Sequence, residues 1–134
     1  MGLERIALEA PVMISTLLVL ASLMGAAGVV LAAAAAHAAP GAGLDSAAYL
    51  LLFHAVAVLG AAALVQQGQL WPPAALVAMA GYVIGGALFA GDVSMRAFAG
   101  HRLFPMAAPT GGTILILAWL VLALAAFVII LRGR

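Results

Sequence analysis

Apolar residues along this chain gather into four long runs, at about residues 12–36, 47–65, 73–95 and 110–131, separated by three shorter polar or glycine- and proline-containing breaks. The last run contains Ile114 to Leu131, 18 residues without a charge, glycine or proline. A helix rises about 1.5 Å per residue, so about 20 apolar residues cross a hydrocarbon core roughly 30 Å thick. Four such runs in 134 residues predict an all-α polytopic membrane protein, a four-transmembrane-helix up-down bundle with both termini on one side. Nearly the whole chain is committed to spans, so residues 1–134 are expected to form a single integral membrane domain.

The breaks carry helix signals of their own. Glu4, Arg5 and Glu9 are expected to hold the start of the chain in water. Ala36-His37-Ala38 resembles a signal-peptidase site, but the apolar region before it exceeds the 7–15 residues usual in signal peptides, which favours a retained helix. After Pro40, Gly41 and Gly43, either Asp45 or Ser46 is placed to cap the second helix. Trp71 falls where an amphipathic ring favours the headgroups, and Pro72 or Pro73 suits a first helical position. Pro109 is expected to open the fourth helix. Arg5, Arg132 and Arg134 lie on the side of the termini and Arg96 and Arg102 on the other, so positive-inside counting favours cytoplasmic termini by a single residue.

Composition narrows the chemistry. Hydrophobic residues make up 68% of the chain and charged residues 7%, a balance that suits lipid and leaves too little polar surface for a water-soluble fold. Without cysteine, disulfides, thiolate metal sites and thiol nucleophiles are excluded, and any metal would rest on His and carboxylate. A net charge of +1 leaves no electrostatic footprint for nucleic acid.

The informative residues are the polar ones inside the runs. His37 ends the first helix, His54 lies about nine residues into the second and Asp92 about twenty into the third, all in the half of the membrane away from the termini. With Arg96 they are candidates for one polar cluster. On a helical period, Gly81, Gly85, Leu88 and Asp92 share a face. Gly81 and Gly85 form a GxxxG pair, a spacing that lets two backbones approach closely, so this face should press on a neighbouring helix. Arg96, four residues after Asp92, is placed to pair with it. Gly111, Gly112 and Trp119 complete the expected helix-packing positions.

For His54, three roles stay open: a hydrogen bond bridging helices, a proton or metal site, or haem ligation. Haem would need a second His at the same depth, whereas His37 and His54 differ by about 12 Å. Tyr49 projects away from His54 and reads as an interfacial aromatic. Trp119, too deep for an interfacial belt, serves the cluster or packs on lipid. Between the third and fourth runs, Met95 to Ala108 carries His101, Arg102 and Phe104, a candidate partner-facing loop.

Several of these segments resemble, in order and spacing, the domain of unknown function 423 family, small four-helix bacterial membrane proteins related to eukaryotic transmembrane protein 256. The matching positions are His37, Tyr49, Phe53, His54, Phe89, Gly91, Pro109, Gly111, Gly112 and Trp119, within a stretch from about Gly25 to Ala125. Ala33 to Ala36 replace a glycine-containing tract. Ala90, Asp92, Met95 and Ala108 stand where the family has Ser, Ser, Tyr and Thr. The resemblance implies the fold and a membrane location, and carries no activity with it.

No nucleophile–base set and no motif such as H-E-x-x-H is present, so an enzyme is not expected, nor a cofactor. The expected role is an accessory or assembly subunit in the bacterial inner membrane, its partners the lipid bilayer and a larger membrane complex or a homo-oligomer. The alternative is proton or metal-ion transport past His37, His54 and Asp92, in an oligomer.

Overall fold

The computed structural model describes residues 2–133, with side chains from Pro11 to Gly133. Arg134 lies outside the described residues, and the side chains of Glu4, Arg5 and Glu9 likewise. The chain is all-α. Helices α1 (Gly2–His37), α2 (Leu44–Gln66), α3 (Pro72–Ala99) and α4 (Ala107–Arg132) follow one another. Each contains a stretch long and apolar enough to cross a membrane, in α1 from Pro11 to His37.

The helix starts differ from expectation at three places. α1 begins at Gly2 and runs through Pro11. α2 begins at Leu44, and its N-cap is Gly43, with φ 78° and no side-chain cap. Neither Asp45 nor Ser46 therefore caps it. Asp45 lies in the first turn, where its charge complements the free amides, and the Ser46 hydroxyl donates to the Gly43 carbonyl at 2.7 Å. Burial of Leu44 within the core draws the helix start forward. α4 begins two residues before Pro109, which the first turn accepts because its amides have no intrahelical partner.

α2 and α3 occupy the centre, α1 packs mainly on α2, and α4 mainly on α3. Fully buried Val58 from α2 and Met79 and Tyr82 from α3 mark the middle of the core. The outer helices turn large apolar side chains outward, among them Leu23 and Val30 of α1 and Ile116, Leu120 and Leu124 of α4. Such surface is stable against lipid tails, which are as apolar as leucine. On the side of the termini, the Trp71 amide donates to the Ala125 carbonyl at 2.9 Å. The Arg132 guanidinium lies 5.4 Å from the centre of the Trp71 ring, so the turn before α3 is fastened to the end of α4.

The tightest helix contact joins α3 to α4. A Cβ added to Gly85 would stand 2.8 Å from the Gly111 carbonyl oxygen, and one on Gly111 would stand 2.6 Å from the Gly85 carbonyl oxygen. One turn earlier on α3, Gly81 faces the Ala118 methyl at 2.9 Å. Backbones this close need small residues on both sides. Gly112, on an expected packing position, has nothing within 4 Å of an added Cβ. It is one step of about 100° around the helix from Gly111 and faces away from the contact.

Candidate functional site

His54 is brought against α4 from the middle of α2, ten residues after Leu44, about 15 Å along that helix. Its side chain is buried. Trp119 Nε1 approaches His54 Nε2 at 3.2 Å. An indole N–H only donates, so Nε2 must be the acceptor. The proton of the neutral ring is then on Nδ1, which lies 2.6 Å from the Leu50 carbonyl oxygen and donates to it. Both ring nitrogens are engaged, and the tautomer is set by the indole.

Tyr82 of α3 completes this core. Its ring centre is 5.2 Å from that of His54 and 5.0 Å from that of Trp119, so three rings from three helices meet near the membrane centre. Tyr82 is fully buried and its hydroxyl has no hydrogen-bond partner within the protein. Sequence reasoning missed it. Tyr82 adjoins the Gly81 and Gly85 face of α3, but only the placement of α2 reveals that the ring turns toward His54.

Asp92 forms a second, separate site. Ten residues beyond Tyr82 on α3, it lies about 15 Å further toward the side opposite the termini. Its carboxylate is buried and accepts from the Leu103 amide at 3.0 Å, while its other oxygen pairs with Arg96 Nε at 3.2 Å. Asp92 therefore ties the segment between α3 and α4 to the end of α3, and the half-exposed Arg96 head closes over it. His101, Arg102 and Phe104 in that segment are exposed.

The expected single cluster of His37, His54, Asp92 and Arg96 does not form. His37 is exposed at the end of α1, His54 turns to Trp119, and Asp92 is held by Arg96 and the Leu103 amide, so that of the four only Asp92 and Arg96 meet. The physical reason is rotation: His54 turns toward Trp119 of α4, Asp92 toward Arg96 and the Leu103 amide, and His37 toward none of them. Among the described residues no group of three or more His, Cys, Asp or Glu could hold a metal ion. Metal or haem ligation by His54 would require displacing the indole from Nε2. Trp119 does serve His54, while about half of its surface stays exposed. Tyr49 is exposed and stacks on Phe53, with ring centres 6.2 Å apart.

Comparison with protein families matches residues 24–112 to a family described as "Protein of unknown function (DUF423)". That stretch includes His54, Tyr82, Asp92 and the Gly85–Gly111 contact, and ends before Trp119. No curated protein and no solved structure matches the chain.

Proposed function

This chain belongs to the DUF423 family, and on that premise we propose that it is a non-catalytic accessory or assembly subunit of a larger complex in the bacterial inner membrane, with cytoplasmic termini. The observation that carries this reading is the state of His54: both nitrogens of the one buried histidine are engaged by protein groups. A proton- or metal-carrying histidine needs a nitrogen free to exchange its partner. Asp92 is similarly engaged, and about 15 Å of α3 separates it from Tyr82 beside His54. Polar groups in the spans thus act on packing, and the surfaces offered to a partner are the outward apolar side chains, most numerous on α1 and α4 but also Phe53 and Val56 of α2 and Val77 of α3, with the exposed segment His101 to Phe104.

Gly81 and Gly85 are not part of that partner surface, because they contact α4 of the same chain. An association test therefore has to alter outward residues. The tagged chain, extracted from its native membrane in a mild detergent, is expected to carry a larger membrane protein in fixed stoichiometry. Leu120→Trp, on the outward face of α4, is expected to weaken that association and leave the helical circular dichroism unchanged. Recovery of only the lone chain or a homo-oligomer, with proton or metal flux in liposomes that His54→Ala and Asp92→Asn abolish, would overturn the proposal in favour of transport.

A further inference from the structure

Among the described residues, Met106 is the one non-glycine with a left-handed backbone, at φ 70°. That conformation crowds a side chain against its own backbone, and residues held in it gather at switch regions, where their surroundings keep them there. The Met106 side chain does not hold it, being 60% exposed. The chain on either side does. Pro105 fixes its own φ and keeps Phe104 out of the helical region, so the reversal into α4 falls on Met106. Ala107 and Ala108, directly after it, are buried. Three residues before it, the Leu103 amide is tied to Asp92.

At the other end of the segment Gly100 is also left-handed, at φ 74°. Between these two positions, His101 to Pro105 are all exposed. Leu103 lies over Gly91, its Cδ2 3.7 Å from where a Cβ on that glycine would stand. Among the described residues, the bond to the Asp92 carboxylate is the one hydrogen bond from residues 101–105 to α3. A segment with so little buried surface and so few tethers belongs to the low end of local stability. The bond to a charged acceptor favours the closed segment, and the strain at Met106, of comparable size, favours its release. Asp92 lies about 30 Å along α3 from Trp71, which puts the segment at the far edge of the hydrocarbon core, next to water.

We propose that Gly100 to Met106 is a strained strap, latched shut by Asp92, that opens as one unit about Gly100 and Met106 and exposes the Asp92 carboxylate to water on the side opposite the termini. Opening breaks the Leu103 to Asp92 bond and the Ala107 to Phe104 bond together, although their acceptors are unrelated. The test is deuterium exchange, resolved by amide, on the full chain in phosphatidylethanolamine–phosphatidylglycerol nanodiscs. The Leu103 and Ala107 amides are expected to share one protection factor, and Asp92→Ala to speed both by the same ratio, at least tenfold. Met106→Asn, which accepts a left-handed backbone, should slow both several-fold, and Met106→Val, which resists it, should speed both. Labelling of Asp92 by a water-soluble carbodiimide, measured against the exposed Asp45, should rise in Met106→Val in the same ratio as exchange. Acceleration of Leu103 alone in Asp92→Ala, Met106 variants that fail to move exchange in opposite directions, or Asp92 labelling that does not follow exchange would each overturn the proposal.

Discussion

Alanine at position 111 would place a methyl carbon 2.6 Å from the Gly85 carbonyl oxygen and 2.7 Å from the Phe89 amide nitrogen. Both obstacles are helical backbone, so no side chain can rotate away. Ordinary contact lies near 3.5 Å, which requires α3 and α4 to separate by roughly 1 Å. That shift loosens the neighbouring contacts of Gly81 with Ala118 and of Gly85 with Leu115. Overpacking typically costs about 1–3 kcal/mol, and rigid backbone on both sides puts this site at the upper end. Alanine regains about 1 kcal/mol of helix propensity over glycine, which leaves a net loss of about 2 kcal/mol. Gly112→Ala is the internal control: with nothing within 4 Å, it keeps the propensity gain and meets no clash. Reversible unfolding by sodium dodecyl sulfate in mixed micelles, followed by circular dichroism and tryptophan fluorescence, compares the two. Gly111→Ala is expected to unfold at clearly lower denaturant and Gly112→Ala at the wild-type midpoint or above. Equal midpoints for the two variants would refute the close approach of α3 and α4.

Other substitutions probe the two polar sites. Trp119→Phe leaves His54 Nε2 without a donor in the protein interior, an expected loss of about 1–3 kcal/mol in the same unfolding assay; a change within error would mean the indole bond contributes nothing. Asp92→Ala removes the acceptor of the Leu103 amide; a hydrogen bond to a charged group is worth about 1.5–3 kcal/mol, so deuterium exchange at that amide should speed up by at least tenfold, with a smaller effect in Asp92→Asn, and unchanged exchange would show that the segment is held by other contacts. Tyr82→Phe deletes a buried hydroxyl that has no protein partner, so stability should be unchanged or rise by up to about 1 kcal/mol, whereas a loss of more than that would reveal a bound water or other partner.

Length and apolarity made the four helices legible in the sequence, because the bilayer fixes both requirements. Helical period also placed Gly81, Gly85 and Asp92 on one face and paired Asp92 with Arg96, since those relations lie within a single helix. Relations between helices were not legible. In a soluble bundle the apolar stripe tells which face turns inward; α2 and α4 are apolar nearly all round, so nothing in their pattern distinguishes lipid from core. The aim of His54 at Trp119, the presence of Tyr82 between them and the isolation of His37 all depend on that missing rotation. Helix starts were displaced for a related reason: left-handed Gly43 and Met106 end the preceding turns, and these backbone states follow from how the connections fit, with no side-chain cap to announce them.

The most direct measurement is nitrogen-15 magnetic resonance of the His54 ring in lipid bilayers at neutral pH. The expected spectrum shows a single neutral tautomer, protonated at Nδ1, with Nε2 unprotonated and in dipolar contact with the Trp119 indole hydrogen. A proton or a metal ion on Nε2, or an indole hydrogen free of His54, would contradict a structural role for the buried histidine and return it to the candidates for an ion path.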